Sequence, residues 1–471
     1  MPYRSLICNL ASLFVFFLFF LSPVKSFGLS TEEEEKLGKE FVSRVKKEFE
    51  LLEEPSLNAF LGSLVEHLWR QEANKPFNIK VYVIKKHDMN AFAGPAGHLF
   101  FFSGLIEQLD SLDQLAGVVA HELAHVSFRH LSNRIAQSYK MGLATLGGML
   151  LGALLGGVPG EAVMAGSMAA GMQMQLSYSR EDERQADQLG LQYLWEAGFD
   201  PRELINLHKN LQRYTQFAGN KVPPYLLTHP TGAERMANLD SMVQGIGTPK
   251  PSHYVEGLRQ EYPFIRAIVM AYTKDSEEAI RFYREPLEKG KRRPENLLGL
   301  GLALMNQGDL KEAQDAISEA IDLAPKVKLL KTYMARILIT KGEPKRAINY
   351  LKDVLSSAPD APEVLYLLSD AYVDMGEDTM ALTYLQRLAH MEAEGGSGFY
   401  KPDIYYKMGN IYGRQGKLDL AHYNLGMFYM KAEEPQKANF HLNKALSITN
   451  DEKLKENIKE LLKQTKQGKK G

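Results

Sequence analysis

Apolar positions recur at helical spacing along most of the chain, and the interruptions in that rhythm mark its parts. Residues 30–72 keep the helical period, with Ser30 placed as an N-cap and Glu33 three residues on to complete a capping box. "NIKVYVIKK" (78–86) alternates instead, and "MNAFAGPAGHLFFFSGLI" (89–106) reads as two extended pieces around Gly94-Pro95, a hairpin. "DSLDQLAGVVAHELAHVSFRHL" (110–131) returns to the helical period behind Asp110 and Ser111. Residues 141–174 carry a single charge, Glu161, and are rich in Gly, Ala and Met; "GGVPGE" divides them into a hairpin of apolar helices. Such apolarity fits a buried packing hairpin and a membrane-surface or site-covering element equally well. Helical spacing resumes over 181–200, stopped by Gly198 and Pro201. The prolines and glycines of "GIGTPKPSHYVEG" then predict a linker, taken as 245–259.

Beyond it the pattern repeats. Gly308, Gly342 and Gly376 recur every 34 residues, as do Ala279, Ala313, Ala347 and Ala381, and Pro325 and Pro359 keep the interval. Gly416 and Ala421 retain the Gly-to-Ala offset after an insertion containing "AEGGSG". Leu297, Leu300, Gly301, Leu304, Ala313, Ile317 and Ala320 fall on the tetratricopeptide template, and a last unit uses Leu425, Gly426, Tyr429, Ala438, Leu442 and Ala445. Residues 260–465 therefore read as an α-solenoid of stacked helix pairs with a concave face.

Composition narrows the classes. A chain of 471 residues exceeds one ordinary core, and with a net charge of −1 nothing points to a nucleic-acid partner. At the start, Arg4, the apolar run Leu6 to Leu21, and Val24 and Ser26 ahead of Phe27 form an export signal over 1–26. A retained anchor is the alternative, because the run is long for a signal and short for a span. The one cysteine, Cys8, lies inside that segment, so any metal in the mature chain has His, Asp and Glu to use.

His121 and His125 lie four apart, on one face of a helix, and Glu122 follows the first. Two imidazoles at this spacing suit one zinc ion, and the adjacent Glu can act as a base toward a water. A catalytic zinc takes three protein ligands. His130 is five residues past His125, well round the helix, so the third ligand is sought in "SREDERQADQLG". There Glu183, Ala186, Asp187, Gly190 and Leu194 share one small or apolar face, opposite Glu181, Gln185, Gln188 and Gln192. Glu183 is the candidate ligand, and Asp187 can hydrogen-bond a ligand imidazole. The "NAFAG" strand supplies Asn90, Ala91 and Phe92 as an edge for an extended peptide substrate, with an ordinary inner strand as the equal alternative.

"HELAH", "SREDERQADQLG" and "HPTGAER", in that order, resemble the zinc metallopeptidases that include the CAAX prenyl endopeptidases and the heat-shock-protein-X membrane proteases. With a signal and repeats added, the chain looks like the periplasmic, β-barrel-assembly-enhancing branch of that family. The resemblance implies a mainly α protein: a zincin-like α+β metallopeptidase domain over 27–244, then the solenoid. It implies His121, His125 and Glu183 as ligands of one Zn2+, Glu122 as base, Asp187 behind the ligands, and His229 near the metal with Arg235 following. His229 would be a reversible fourth ligand or an oxyanion stabiliser. By the same resemblance the protein sits in the periplasm. Its partners would be unfolded or stalled outer-membrane β-barrel proteins and their assembly machinery, with membrane-surface contact through 141–174. The competing classes are a solenoid adaptor with a silent zinc domain, which an intact Glu122 disfavours, and a membrane-anchored protease with other clients.

Overall fold

The computed structural model describes residues 29–137, 178–217, 222–393 and 403–467. The export signal read at 1–26 and the apolar hairpin read at 141–174 lie outside the described residues. The chain is mainly α, with one small sheet.

Ser30 caps α1 (Thr31–Glu48) through the expected capping box. The helical reading of 30–72 is interrupted, because residues 50–52 run extended along the sheet. Leu52 N–H donates to Val83 O at 2.8 Å and Lys85 N–H to Glu50 O at 2.9 Å. Pro55 at the first helical position and the Glu54 carboxylate as cap then start α2 (Pro55–Trp69). Three strands follow: β1 (Lys80–Ile84), β2 (Ala91–Ala93) and β3 (His98–Phe102), in the order β1-β3-β2. β3 lies parallel to β1 and antiparallel to β2, so the hairpin expected around Gly94-Pro95 is present.

"HLFFF" is apolar without alternation because both faces of β3 are covered. Phe100 and Phe102 meet Phe41 and Val45 of α1, while Leu99 and Phe101 join the core around α2. Next come α3 (Ser103–Gln108) and α4 (Leu112–Ser127), the latter buried continuously from Leu112 to Val126. The chain continues with α5 (His130–Gln137), α6 (Arg180–Ala197), α7 (Arg202–Phe217), α8 (Pro224–Thr228) and α9 (Ala233–Gln244). Gly198, in the left-handed region at φ 90°, ends α6 where the sequence expects a stop.

The stretch 245–259 is a linker only as far as Ser252. From His253 it is the first part of α10 (His253–Thr273), which Ser252 caps and whose apolar side is buried. Arg259, at the expected linker end, makes a two-point ion pair with Asp113 in the first turn of α4. Tyr262 donates to the carbonyls of Ile106 and Leu109, and Arg266 to that of Glu107. The first helix of the repeats is thus also a wall of the preceding domain.

The repeat helices are α11 (Ser276–Glu288), α12 (Pro294–Gln307), α13 (Leu310–Leu323), α14 (Lys328–Thr340), α15 (Pro344–Leu355) and α16 (Pro362–Asp374). They continue with α17 (Asp378–Ala393), α18 (Asp403–Arg414), α19 (Leu418–Lys431), α20 (Pro435–Ile448) and α21 (Glu452–Gln467). The periodic glycines 308, 342, 376 and 416 take φ values of 73–94°, a left-handed turn between paired helices that a side chain would strain. The periodic alanines 279, 313, 347 and 381 are fully buried at the helix crossings. Among the described residues, no helix is long and apolar enough to cross a membrane.

Candidate metal centre

Ser111 caps α4, accepting from the Gln114 N–H, and the helix carries His121, Glu122 and His125 into the interior with almost no exposure. α6 crosses it closely. A Cβ on Gly190 would lie 3.3 Å from the His121 backbone nitrogen, so glycine permits the approach. The face of α6 read as inward is inward: Glu183, Ala186, Asp187 and Leu194 are buried, and the first two carboxylate positions meet α4. His121 Nε2 lies 3.1 Å from His125 Nε2 and 3.5 Å from Glu183 Oε2, while His121 Nδ1 faces Asp187 Oδ1 at 3.0 Å.

His229 ends α8 and is fully buried. Its Nδ1 lies 3.2 Å from His121 Nε2 and 2.9 Å from Glu183 Oε1, and its Nε2 is 3.3 Å from Glu122 Oε1. Two tyrosines absent from the sequence reading wall the group: Tyr178 stacks on His125 with centroids 3.8 Å apart, and Tyr225 on His229 at 4.6 Å. Arg235 closes the far side. It binds both oxygens of Asp187, at 2.7 and 2.8 Å, and pairs with Glu183.

Ligand atoms of His121, His125, Glu183 and His229 all lie within 4.8 Å of one another. This donor set fits zinc, which takes imidazole nitrogen and carboxylate oxygen in fours. The field fits as well. Burial disfavours a charged His121, yet Asp187 and Glu183 raise its pKa to about 9, whereas burial holds His125 well below the ordinary imidazole value and so neutral, as a ligand must be. Burial likewise opposes the Glu183 carboxylate, but His229 and Arg235 hold its pKa well below the usual range. Glu122 is pushed up by burial, although its carboxylate faces His229 Nε2 at 3.3 Å and the Ala93 N–H. A fully buried carboxyl is costly to charge, and one held beside the candidate ligands is placed for a task.

His130 does not lie round the helix as expected. α4 stops at Ser127, Arg129 turns left-handed at φ 52°, and α5 begins at His130. This turn returns His130 to His125, with the two Nδ1 atoms 2.9 Å apart. Gln185, expected on the solvated face of α6, is 3.2 Å from His130 Nε2. The string "FRH" holds the histidine, but nothing in it announces the helix break.

The sheet edge also differs in detail. β2 is the outer strand, and Asn90 O and Gly94 N–H bond inward to β3 at 2.9 and 2.7 Å. By strand alternation Phe92 pairs with β3 too, leaving the Ala91 and Ala93 backbones on the side away from β3, where both residues are buried. The Phe92 ring stacks on Phe100 at 5.0 Å and meets Phe41 edge-on. Burial of such a ring stabilises by roughly 2–3 kcal/mol, which commits it to the core and not to a substrate. Ala93, which the sequence reading passed over, turns its N–H to the Glu122 carboxylate.

Residues 55–243 match Peptidase family M48, and residues 294–327, 338–395 and 420–452 match tetratricopeptide repeats. The chain is 30% identical over 221 residues to a Vibrio cholerae protein named putative beta-barrel assembly-enhancing protease, covering 46% of each. It is 29% identical over 214 residues to the Escherichia coli beta-barrel assembly-enhancing protease, covering 45% of this chain and 44% of that one. It is 32% identical over 159 residues to the Arabidopsis thaliana mitochondrial metalloendopeptidase OMA1, covering 33% and 30%. The chain spans about half the length, or less, of the curated relatives it matches.

Proposed function

We propose that this chain, which joins a Peptidase family M48 domain to tetratricopeptide repeats, is an exported zinc-dependent endopeptidase of the periplasm. Its substrates are polypeptides, and its task is the assembly or removal of outer-membrane β-barrel proteins. The single observation that carries the enzymatic part is the convergence of four ligand side chains beside the fully buried Glu122. The names of the bacterial relatives, beta-barrel assembly-enhancing proteases, support the task. The repeats supply a protein-binding scaffold for clients and assembly machinery.

His121, His125 and Glu183 would hold the ion. Bound zinc lowers the pKa of a water and polarises a carbonyl oxygen. Glu122 accepts the proton of the attacking water and later returns it to the departing amine, and its raised pKa suits both transfers. Asp187 orients His121 through Nδ1, and Arg235 fixes Asp187 and Glu183 together. The β2 edge at Ala91 and Ala93, buried in this structure, would align an extended peptide beside Glu122 once uncovered. His229, already among the ligand atoms, holds the site idle until a substrate or partner draws it aside.

The test is metal analysis with cleavage of an unfolded protein such as casein. Wild type should contain one zinc per chain. Glu122→Gln should keep the zinc and lose activity by roughly 100-fold or more, since proton transfer is what it removes. Near-normal cleavage by that variant would refute the mechanism.

A further inference from the structure

Resting on the reading of this site as a zinc centre, we propose that His130 is a positioning residue that fixes the His125 imidazole for the metal. It does so through a hydrogen-bonded relay continued by Gln185 and Glu181.

The delivery of His130 comes first. On an uninterrupted helix a residue five positions on would lie about 140° round the axis from His125, too far to meet its ring. The left-handed Arg129 reverses the chain instead. A non-glycine residue is strained there, and persists where its surroundings over-determine it. They do so here: the Arg129 guanidinium donates to Glu34 Oε2 at 3.1 and 2.6 Å and to the Leu29 carbonyl at 2.7 Å. Glu34 is itself buried and also accepts from the Ala96 N–H, so one carboxylate of α1 holds this turn against the connection between β2 and β3. Phe128, stacked on His130 with planes 19° apart, holds the ring from one side.

The proton assignment then follows from the end of the relay. Glu181 accepts only, so the Gln185 amide donates to it at 2.8 Å and turns its oxygen toward His130. That oxygen can only accept, so His130 Nε2 carries a hydrogen and donates at 3.2 Å. In the neutral ring Nδ1 is then an acceptor, and His125 Nδ1 must donate to it across 2.9 Å. The remaining lone pair of His125 is on Nε2, the atom that faces His121 and Glu183. The relay leaves one tautomer of His125, the one that can bind metal. Asp187 does the same for His121 from the opposite side.

The experiment measures zinc affinity of the full-length protein by competition with a chromophoric chelator, a readout independent of catalysis. His130→Phe keeps a ring against Phe128 but removes the acceptor, and should weaken zinc by about 10- to 100-fold. His130→Asn places an oxygen near the lost Nδ1 and should regain most of that affinity. Zinc binding unchanged in His130→Phe, or equally weak in both variants, would overturn the assignment. Should the ring variant fail to fold, Gln185→Leu reads the same relay from a position nearer solvent. A severalfold loss supports the relay, and no loss overturns it. A wild-type protein that held no zinc would instead overturn the functional reading, and this proposal with it.

Discussion

Glu181 and Glu183 are two residues apart on α6 and differ in everything that matters for a ligand. Glu183 is buried among three imidazoles, whereas Glu181 is exposed and paired with Arg184. Glu183→Ala should therefore abolish tight zinc binding. Glu181→Ala, which reaches the site only through Gln185, should cost severalfold at most. Equal losses on metal analysis after dialysis would remove Glu183 from the ligand set. His229 separates two roles by sign. With Nδ1 at 3.2 Å from His121 Nε2, the imidazole occupies ligand space at rest. His229→Ala should then raise self-cleavage and casein cleavage severalfold. A fall in both rates would mean that it stabilises the oxyanion instead, and unchanged rates would leave it a turn residue.

At the scale of elements, the metal helix is held at both ends. Asp113 in its first turn takes Arg259 from α10, and Ser127 in its last turn donates to Glu72 at 2.5 Å. Tyr193 of α6 donates to the same carboxylate, so Glu72 ties the segment after α2 to both site helices. Burial alone would raise its pKa, but the Ser127 and Tyr193 hydroxyls outweigh that and hold it below the ordinary value. A folded pKa below the unfolded one gives stability that is present above about pH 4.5 and lost as pH falls through the lowered value. Urea unfolding should show Glu72→Gln less stable than wild type at pH 7, with the gap closing on acidification below pH 4. A gap independent of pH would assign the loss to packing.

For the whole molecule, the repeats are locked to the domain that carries the candidate metal centre by a largely buried ion group. Arg336 of α14 donates to Glu54 at 3.0 Å, pairs with Glu363 of α16, and receives Tyr272 and Tyr333 around it. Glu54 is also the cap of α2, which packs on α4, so this group gives the solenoid a second route to the metal helix beside the direct Arg259–Asp113 pair. Arg336→Ala would leave two carboxylates facing each other with little water. The expected loss is about 3 kcal/mol or more in chemical unfolding, because removing one partner strands the others. A loss below about 1 kcal/mol would class the lock with exposed surface pairs. The same geometry cautions against cutting at residue 260. α10 belongs to both halves, and a fragment starting there would expose the face that Tyr262 and Ile265 bury.

The sequence alone determined whatever depends on local periodicity. The four-residue spacing of His121 and His125, the inward face carrying Glu183 and Asp187, the capping box at Ser30 and the 34-residue repeat all rest on regular helix geometry. Helical phase can be counted only while the helix continues, and that is where the reading of His130 and Gln185 ended. The break at Arg129 is a strained turn that Glu34, 95 residues upstream, holds in place. The same holds for Tyr178 and Tyr225, which reach the histidines from separate segments, and for the outward side of β2, decided by the pairing of Asn90 and Gly94 with β3. It holds as well for α10, where a stretch rich in proline and glycine reads as a linker until the neighbouring domain buries its apolar side. Each of these depends on contacts distant in sequence, whose energies no local pattern encodes. The local pattern points to His121, His125 and Glu183 as candidate ligands, whereas tertiary packing decides how they are held and brings His229 among them.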